Sequence, residues 1–250
     1  MNIKIKRFNS EQDIDEIVDY DIKDNKTILE SLIEVKIKYD ESLAFRCGCR
    51  TGICGSCSLR VNGVEKLACK SKLNENDLIE PIKNTKVIKD LIVDLEHESK
   101  LLKKSNTFLN KLEETTISKE DEKLIDTQSN CILCQSCFSS CPIYEVNDKF
   151  LGPYALTRAL RYVDDKKESH KVQTLEKIQD NGVWDCTLCG NCTMVCPQFI
   201  DPKTDIMNLR MKSVQNGFED RSMQYMTGAG FAGGFDTGFD PTGGFNPNGF

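Results

Sequence analysis

Hydrophobic and polar positions alternate at the start of the chain. Ile3 and Ile5 alternate with lysines, and Val18, Tyr20 and Ile22 alternate with aspartates. A period of two predicts two strands, each with one wet face. Thr27-Ile28-Leu29-Glu30 reads as a capping box, and Ile28, Leu29, Leu32 and Val35 recur at helical spacing behind it. Leu59-Arg60-Val61 and Val64-Glu65-Lys66-Leu67 flank Asn62-Gly63. That arrangement predicts a hairpin, because a type I′ turn needs φ > 0 at both central residues. From about Val87 to Leu112 the pattern turns helical and then charged, which predicts a helical connector. Gly152-Pro153 precedes an apolar-periodic run from Tyr154 to Val163, with the proline suited to a first helical turn. Asp201-Pro202 opens a helix through Met211 in the same way.

The expected organisation is therefore α+β. A strand-and-helix domain covers residues 1–97, a helical connector 98–122, an all-α domain 123–220 and a tail 221–250. From Thr227 onward the chain holds 8 of its 16 glycines and 5 of its 12 phenylalanines, in recurring Gly-Phe units. So much glycine costs too much backbone entropy to fold alone. The tail reads either as disordered or as a segment that orders against a partner with Phe anchors.

The net charge of −6 comes without a basic stripe, which argues against nucleic-acid binding. No stretch approaches the roughly 20 apolar residues of a membrane helix. The first residues show no apolar secretory region. Thirteen cysteines change the picture. A disulfide framework suits a small secreted domain, so metal ligation is the expected use of these thiols.

The cysteines fall into three groups. Cys49, Cys54 and Cys57 follow C-x4-C-x2-C spacing, with Cys69 beyond the hairpin. This is the plant-type spacing for a [2Fe–2S] cluster. Gly48, Gly52 and Gly55 let backbone approach the cluster without a Cβ in the way. Cys47 reads either as a spare thiol or as a ligand competing with Cys49, and the spare reading is preferred because only Cys49 preserves the spacing. Cys131, Cys134, Cys137 and Cys141-Pro142 form one C-x2-C-x2-C-x3-C-P motif, and Cys186, Cys189, Cys192 and Cys196-Pro197 form a second. Two copies are the two-cluster ferredoxin signature, in which the last cysteine of each copy ligates the other copy's cluster. The expected sets are Cys131, Cys134, Cys137 and Cys196 for one [4Fe–4S] cluster, and Cys141, Cys186, Cys189 and Cys192 for the other. The fold class expected from these motifs is a plant-type ferredoxin (β-grasp) domain followed by an all-α two-cluster ferredoxin-like domain. Three clusters in series make an electron wire. No dinucleotide fingerprint or P-loop is present, and His97 and His170 lie in no motif and read as surface residues. A structural zinc scaffold is the alternative of a different class.

This arrangement resembles the iron–sulfur subunit of succinate dehydrogenase and fumarate reductase over about residues 1–215. The likeness runs through Leu43-Ala44-Phe45-Arg46, Gly52 to Cys57, Leu67-Ala68-Cys69, Val87 to Asp94, Cys131 to Pro142, Lys149 to Pro153, Asn181 to Trp184 and Cys192 to Pro197. The resemblance implies a FAD-containing flavoprotein partner that interconverts succinate and fumarate, and a membrane-side quinone-reactive partner. It also implies a peripheral place in a membrane-associated complex. The cytoplasmic face is the default, and the periplasmic face applies if the chain is exported with its flavoprotein. The [2Fe–2S] centre would lie nearest the flavin and the Cys186 group nearest the quinol.

Three departures mark the chain. Most of that family carries an apolar residue where Cys189 stands, and the missing thiolate leaves a [3Fe–4S] centre. Cys189 implies a second [4Fe–4S] cluster, with [3Fe–4S] the outcome if its thiol points away. The quinone-pocket residues usual after the first Cys-Pro and after the first cysteine of the last group are replaced by Ile143-Tyr144-Glu145-Val146 and Thr187. The Gly/Phe tail is extra. These departures resemble the methylmenaquinol:fumarate reductases, whose third subunit is cysteine-rich, and the tail is expected to dock that subunit. A thiol-dependent fumarate reductase or a 2-hydroxy-acid oxidase is the second enzymatic reading.

Overall fold

The alternating start of the chain builds two paired strands. β1 (Asn2–Asn9) and β2 (Ile14–Asp21) run antiparallel, with Ile5 opposite Val18. Ile3 and Ile5 are fully buried. Arg7 takes the next inward position of the same alternation and is buried as well. A buried cation is tolerated only when paired and hydrogen-bonded. Arg7 meets that demand by donating to Asp90 (2.8 Å), the Tyr20 hydroxyl (2.9 Å), Ser42 (3.0 Å) and Asp40.

The computed structural model describes residues 1–9, 12–23 and 27–220. The expectations placed on the Gly/Phe tail lie outside the described residues.

α1 (Ile28–Lys38) opens on the expected capping box: the Glu30 amide donates to Thr27 Oγ1 (3.2 Å) and the Thr27 amide to Glu30 Oε2 (2.8 Å). Its apolar face, Ile28, Leu29, Leu32 and Val35, shares a core with Ile3, Ile5, Leu59 and Ile79. Burying each such side chain contributes about 1.5–3 kcal/mol. β3 (Ser58–Val61), β4 (Val64–Leu67) and β5 (Leu78–Glu80) complete a five-stranded sheet in the order β2-β1-β5-β3-β4. The β1–β5 pair is parallel and the other pairs are antiparallel. The β3–β4 turn sits at Asn62 and Gly63, both at positive φ (49° and 82°), as the Asn-Gly signal requires.

Residues 87–95 depart from the helical expectation. β6 (Val87–Lys89) and β7 (Ile92–Val93) form a two-stranded hairpin, and helix begins only at α2 (Glu96–Lys104). The cause is long-range. Asp90 turns the chain at φ 50°, and its carboxylate accepts from Arg7 and from the amides of Phe8 (3.3 Å) and Ala44 (2.8 Å).

The remaining elements are α3 (Lys119–Ser129), α4 (Ser136–Ser139), a 3₁₀ turn at Pro142–Glu145, α5 (Pro153–Val163) and α6 (Lys171–Lys177). A second 3₁₀ turn at Val183–Asp185, α7 (Asn191–Met194) and α8 (Pro202–Gln215) follow. α5 and α8 both begin at proline as expected, and α8 continues past Met211 to Gln215. Leu156, Ala159 and Leu160 of α5 pack with Ile206 and Leu209 of α8 and with Leu175 of α6.

Met1–Phe218 form one compact unit. α4 is tied to β4 and to the segment after β5 by polar bonds. Ser139 Oγ accepts from the Lys83 amide (2.8 Å) and donates to Glu65 (2.7 Å), and Asn84 Nδ2 donates to the Phe138 carbonyl (2.8 Å). Among the described residues, no helix is long and apolar enough to cross a membrane.

Candidate metal centres

Cys49, Cys54 and Cys57 lie on the loop between α1 and β3, and Cys69 follows β4. Arg50, Gly52 and Gly55 at positive φ curl this loop. The curl aims backbone donors at sulfur. The Thr51 and Ile53 amides each lie 3.4 Å from Cys49 Sγ, and the Cys49 amide lies 3.4 Å from Cys54 Sγ. The Thr51 side chain, followed by these amides, holds the Cys49 thiol below its ordinary pKa, so its thiolate form is favoured. Cys57 donates to Cys69 at 3.4 Å, and burial pushes the Cys57 thiol up. The four residues thus form two close pairs, Cys49 with Cys54 through the Cys49 amide and Cys57 with Cys69 through their thiols. A Cβ on Gly48 would stand 3.0 Å from Cys54 Sγ, so glycine keeps open the space beside that thiol. Cys47 is exposed.

The second and third groups share one local geometry. In each, the second and fourth residues after the first cysteine take left-handed backbone: Leu133 and Gln135 in one copy, Leu188 and Gly190 in the other. These residues wrap the chain around the thiols, and a short helix, α4 or α7, follows each. Cys131, Cys134, Cys137 and Cys196 line one cavity, with Tyr154 and Thr157 of α5 in its wall. Burial raises the thiols of Cys131, Cys134 and Cys137, and repulsion from Cys196 adds to each. Arg158 of α5 opposes the rise at Cys131, through its charge and a hydrogen bond.

Cys141 lies with the other motif. Burial pushes it up to about 11, with repulsion from Cys186 and Cys189 adding to the rise. Cys192 is pushed up to about 12 by burial, then by Cys186, Cys141 and Cys189. Cys189 is exposed, yet its charge is felt by all three of these thiols. The last cysteine of each motif therefore sits with the first three of the other.

His97 corrects the surface expectation. His97 is partly buried, stacked on Phe138 with ring centroids 4.2 Å apart and within 3.3 Å of Gln135 Oε1, and burial lowers its pKa. His170 is partly buried at the start of α6. Among the described residues, no group of three or more His, Cys, Asp or Glu side chains is arranged to hold a single metal ion.

Other features escaped the motif reading. A Cβ on Gly55 would lie 2.8 Å from both Cys134 Cα and the Ile132 carbonyl oxygen, so the first and second cysteine loops touch backbone to backbone. Gln198 Nε2 donates to the Gly52 carbonyl (3.2 Å), bringing the segment after Cys196 to the same loop. The glycines of the first motif were visible in the sequence, but their neighbours across the fold were not.

Comparison with known proteins bears on these loops directly. A family model for a 2Fe-2S iron-sulfur cluster binding domain matches residues 2–100, and one for a 4Fe-4S dicluster domain matches residues 127–200. Both describe iron–sulfur domains, which sets the zinc scaffold aside. The fumarate reductase iron-sulfur subunit of Haemophilus influenzae is 33% identical over 240 residues, covering 86% of this chain and 94% of that one. An uncharacterized iron-sulfur protein of Methanocaldococcus jannaschii is 35% identical over 205 residues; this chain spans 41% of its length. In structure, a chain of the Mycobacterium smegmatis Sdh1 complex in the apo form matches with a TM-score of 0.76 at 21% identity, over 87% of this chain and 97% of that one. The paired cysteine loops, the sheet that carries one and the helices that flank the others are those of an iron–sulfur electron-transfer subunit, and the chain belongs to the family of fumarate reductase iron–sulfur subunits.

Proposed function

We infer that this chain holds three iron–sulfur stations in series and links a FAD-containing flavoprotein to a quinone-reactive subunit at a membrane. Residues 1–97 carry the first station at Cys49, Cys54, Cys57 and Cys69. Residues 123–220 carry a [4Fe–4S] station at Cys131, Cys134, Cys137 and Cys196, and another at Cys141, Cys186, Cys189 and Cys192. Bound there, the clusters supply one-electron oxidation and reduction. The protein holds them, excludes water and aims amide N–H groups at sulfur, which tunes each potential.

One observation carries the reading: Cys196 stands among Cys131, Cys134 and Cys137, and Cys141 among Cys186, Cys189 and Cys192. The two pairs of the first group suit two irons with two thiolates each. The glycine beside Cys54 keeps a space that any side chain would fill.

The position of Cys189 among the other three thiols supports a third cluster of the [4Fe–4S] kind. That chemistry, with Ile143 to Val146 and Thr187 in place of the usual quinone-pocket residues, favours the methylmenaquinol:fumarate reductase type. The third subunit is then a cysteine-rich protein.

The test is EPR and iron and sulfide analysis of the anaerobically purified complex carrying single Cys→Ser variants. Cys196→Ser and Cys134→Ser are expected to remove the same signal, and Cys141→Ser and Cys192→Ser another. Cys189→Ser is expected to leave a three-iron signal in the oxidised state. Cys196→Ser acting together with Cys192→Ser on one centre would defeat the exchanged assignment.

A further inference from the structure

α5 turns two polar side chains toward the second cysteine group, and neither is fully satisfied. Tyr154 is 1% exposed, and its hydroxyl has no hydrogen-bond partner. It forms part of the wall of the cavity that Cys131, Cys134, Cys137 and Cys196 line. Arg158 lies four residues on, one helical turn away on the same face. Its Nε is buried and unpartnered, while the guanidinium lies against Cys131. Glu98 of α2 interacts with the Arg158 charge and takes its own hydrogen bond from Gln135 (2.7 Å).

Buried donors in native proteins are nearly always paired, and a specific unpaired one calls for an explanation such as an unseen ligand. A sulfur-rich anion between the four thiols gives the Tyr154 hydroxyl its missing partner and places negative charge next to the Arg158 guanidinium, which already reaches Cys131. Each is a donor, and each is placed where negative charge collects.

We propose that the Tyr154 hydroxyl and the Arg158 guanidinium donate to the sulfur atoms of the four-iron centre at Cys131, Cys134, Cys137 and Cys196 and raise its reduction potential. Hydrogen bonds to sulfur and nearby positive charge favour the reduced state, which carries one more negative charge. They act as positioning and tuning residues, since the thiolates hold the iron. The inference rests on the ligand assignment above.

Potentiometric titration of the purified complex followed by EPR tests it, reading the signal that Cys196→Ser removes. Arg158→Gln is expected to lower the equilibrium constant for one-electron reduction about tenfold, a shift of about 59 mV to lower potential. Tyr154→Phe is expected to lower it about threefold, with Arg158→Lys between wild type and Arg158→Gln. The [2Fe–2S] midpoint is expected to stay where it is. A persistent signal with unmoved midpoints in all three variants overturns the tuning role and leaves the ligand assignment standing. Lost iron without a shifted midpoint in the centres that remain marks a merely structural role and also overturns it. A signal that survives Cys196→Ser at full iron content defeats the ligand assignment, and the tuning role with it.

Discussion

Asp205 shows how one residue carries a pH dependence. It is 4% exposed on α8 and accepts from Gln128 Nε2 and Thr157 Oγ1, both at 2.8 Å. Burial nonetheless raises its pKa to about 6, and those two bonds only partly oppose the rise. An unfolded aspartate ionises near 3.9. Between these values the folded chain holds a proton that the unfolded chain has lost, so stability falls as pH rises through the window and levels off above it. The expected loss between about pH 5 and pH 7 is about 1 kcal/mol. Asp205→Asn, neutral throughout, is expected to abolish that slope, as read from anaerobic urea denaturation at the two pH values. A slope unchanged in the variant would place the titrating group elsewhere. In the sequence Asp205 belongs to no motif. Only the covering by Gln128 and Thr157 from other helices made its carboxyl a buried one.

At the scale of elements, local signals and tertiary demands diverge in instructive ways. The Thr27 capping box, the Asn62-Gly63 turn and the Pro153 and Pro202 helix starts are decided within four residues, and each forms as read. α3 opens on an equally local Ser118–Asp121 box that the motif reading passed over. The β6–β7 hairpin could not be read, because Arg7, 83 residues away, supplies the partner that fixes its turn. Contact between the cysteine loops belongs to this scale too. Gly55 stands at φ 72° with the Cys134 backbone 2.8 Å from where a Cβ would sit. Gly55→Ala forces the two loops apart and is expected to cost about 2 kcal/mol or more. That corresponds to a melting temperature about 4–8 °C lower in a chain of this size. The complex is also expected to turn over more slowly, because the separation between stations grows. Scanning calorimetry and turnover of the purified variant check both effects; a variant indistinguishable from wild type would show that the loops have room to move.

Over the whole molecule, two kinds of core divide the stability. The five-stranded sheet and α1 bury Ile3, Ile5, Ile28, Leu32, Leu43 and Ile79 in a core that is mostly aliphatic, with Cys57, Cys69 and Cys134 at its edge nearest the cysteine loops. The other two cysteine groups lie on loops whose regular elements are α4 and α7, flanked by two 3₁₀ turns, none longer than four residues. Helices so short do not hold themselves together, and metal binding there is coupled to folding. Most of their thiols are raised by burial, so removal of iron leaves them protonated. Anaerobic chelation of iron is therefore expected to strip hydrogen-exchange protection from residues 131–146 and 183–200 first, while β1, β3 and β5 keep theirs. Equal loss in both parts would show that the sheet also depends on metal.

The chain by itself determined the chemistry: thiol spacing, glycines between the thiols and the strand and helix periods are local properties, written in consecutive residues. It announced three cysteine groups and the family they belong to. The folded molecule alone decided what those groups meet. The pairing of Arg7 with Asp90, the contact of Gly55 with Cys134 and the approach of Tyr154 and Arg158 to Cys131 join residues far apart in sequence. Such contacts arise from the sum of many weak burials and a few paired charges, and no stretch of sequence contains that sum.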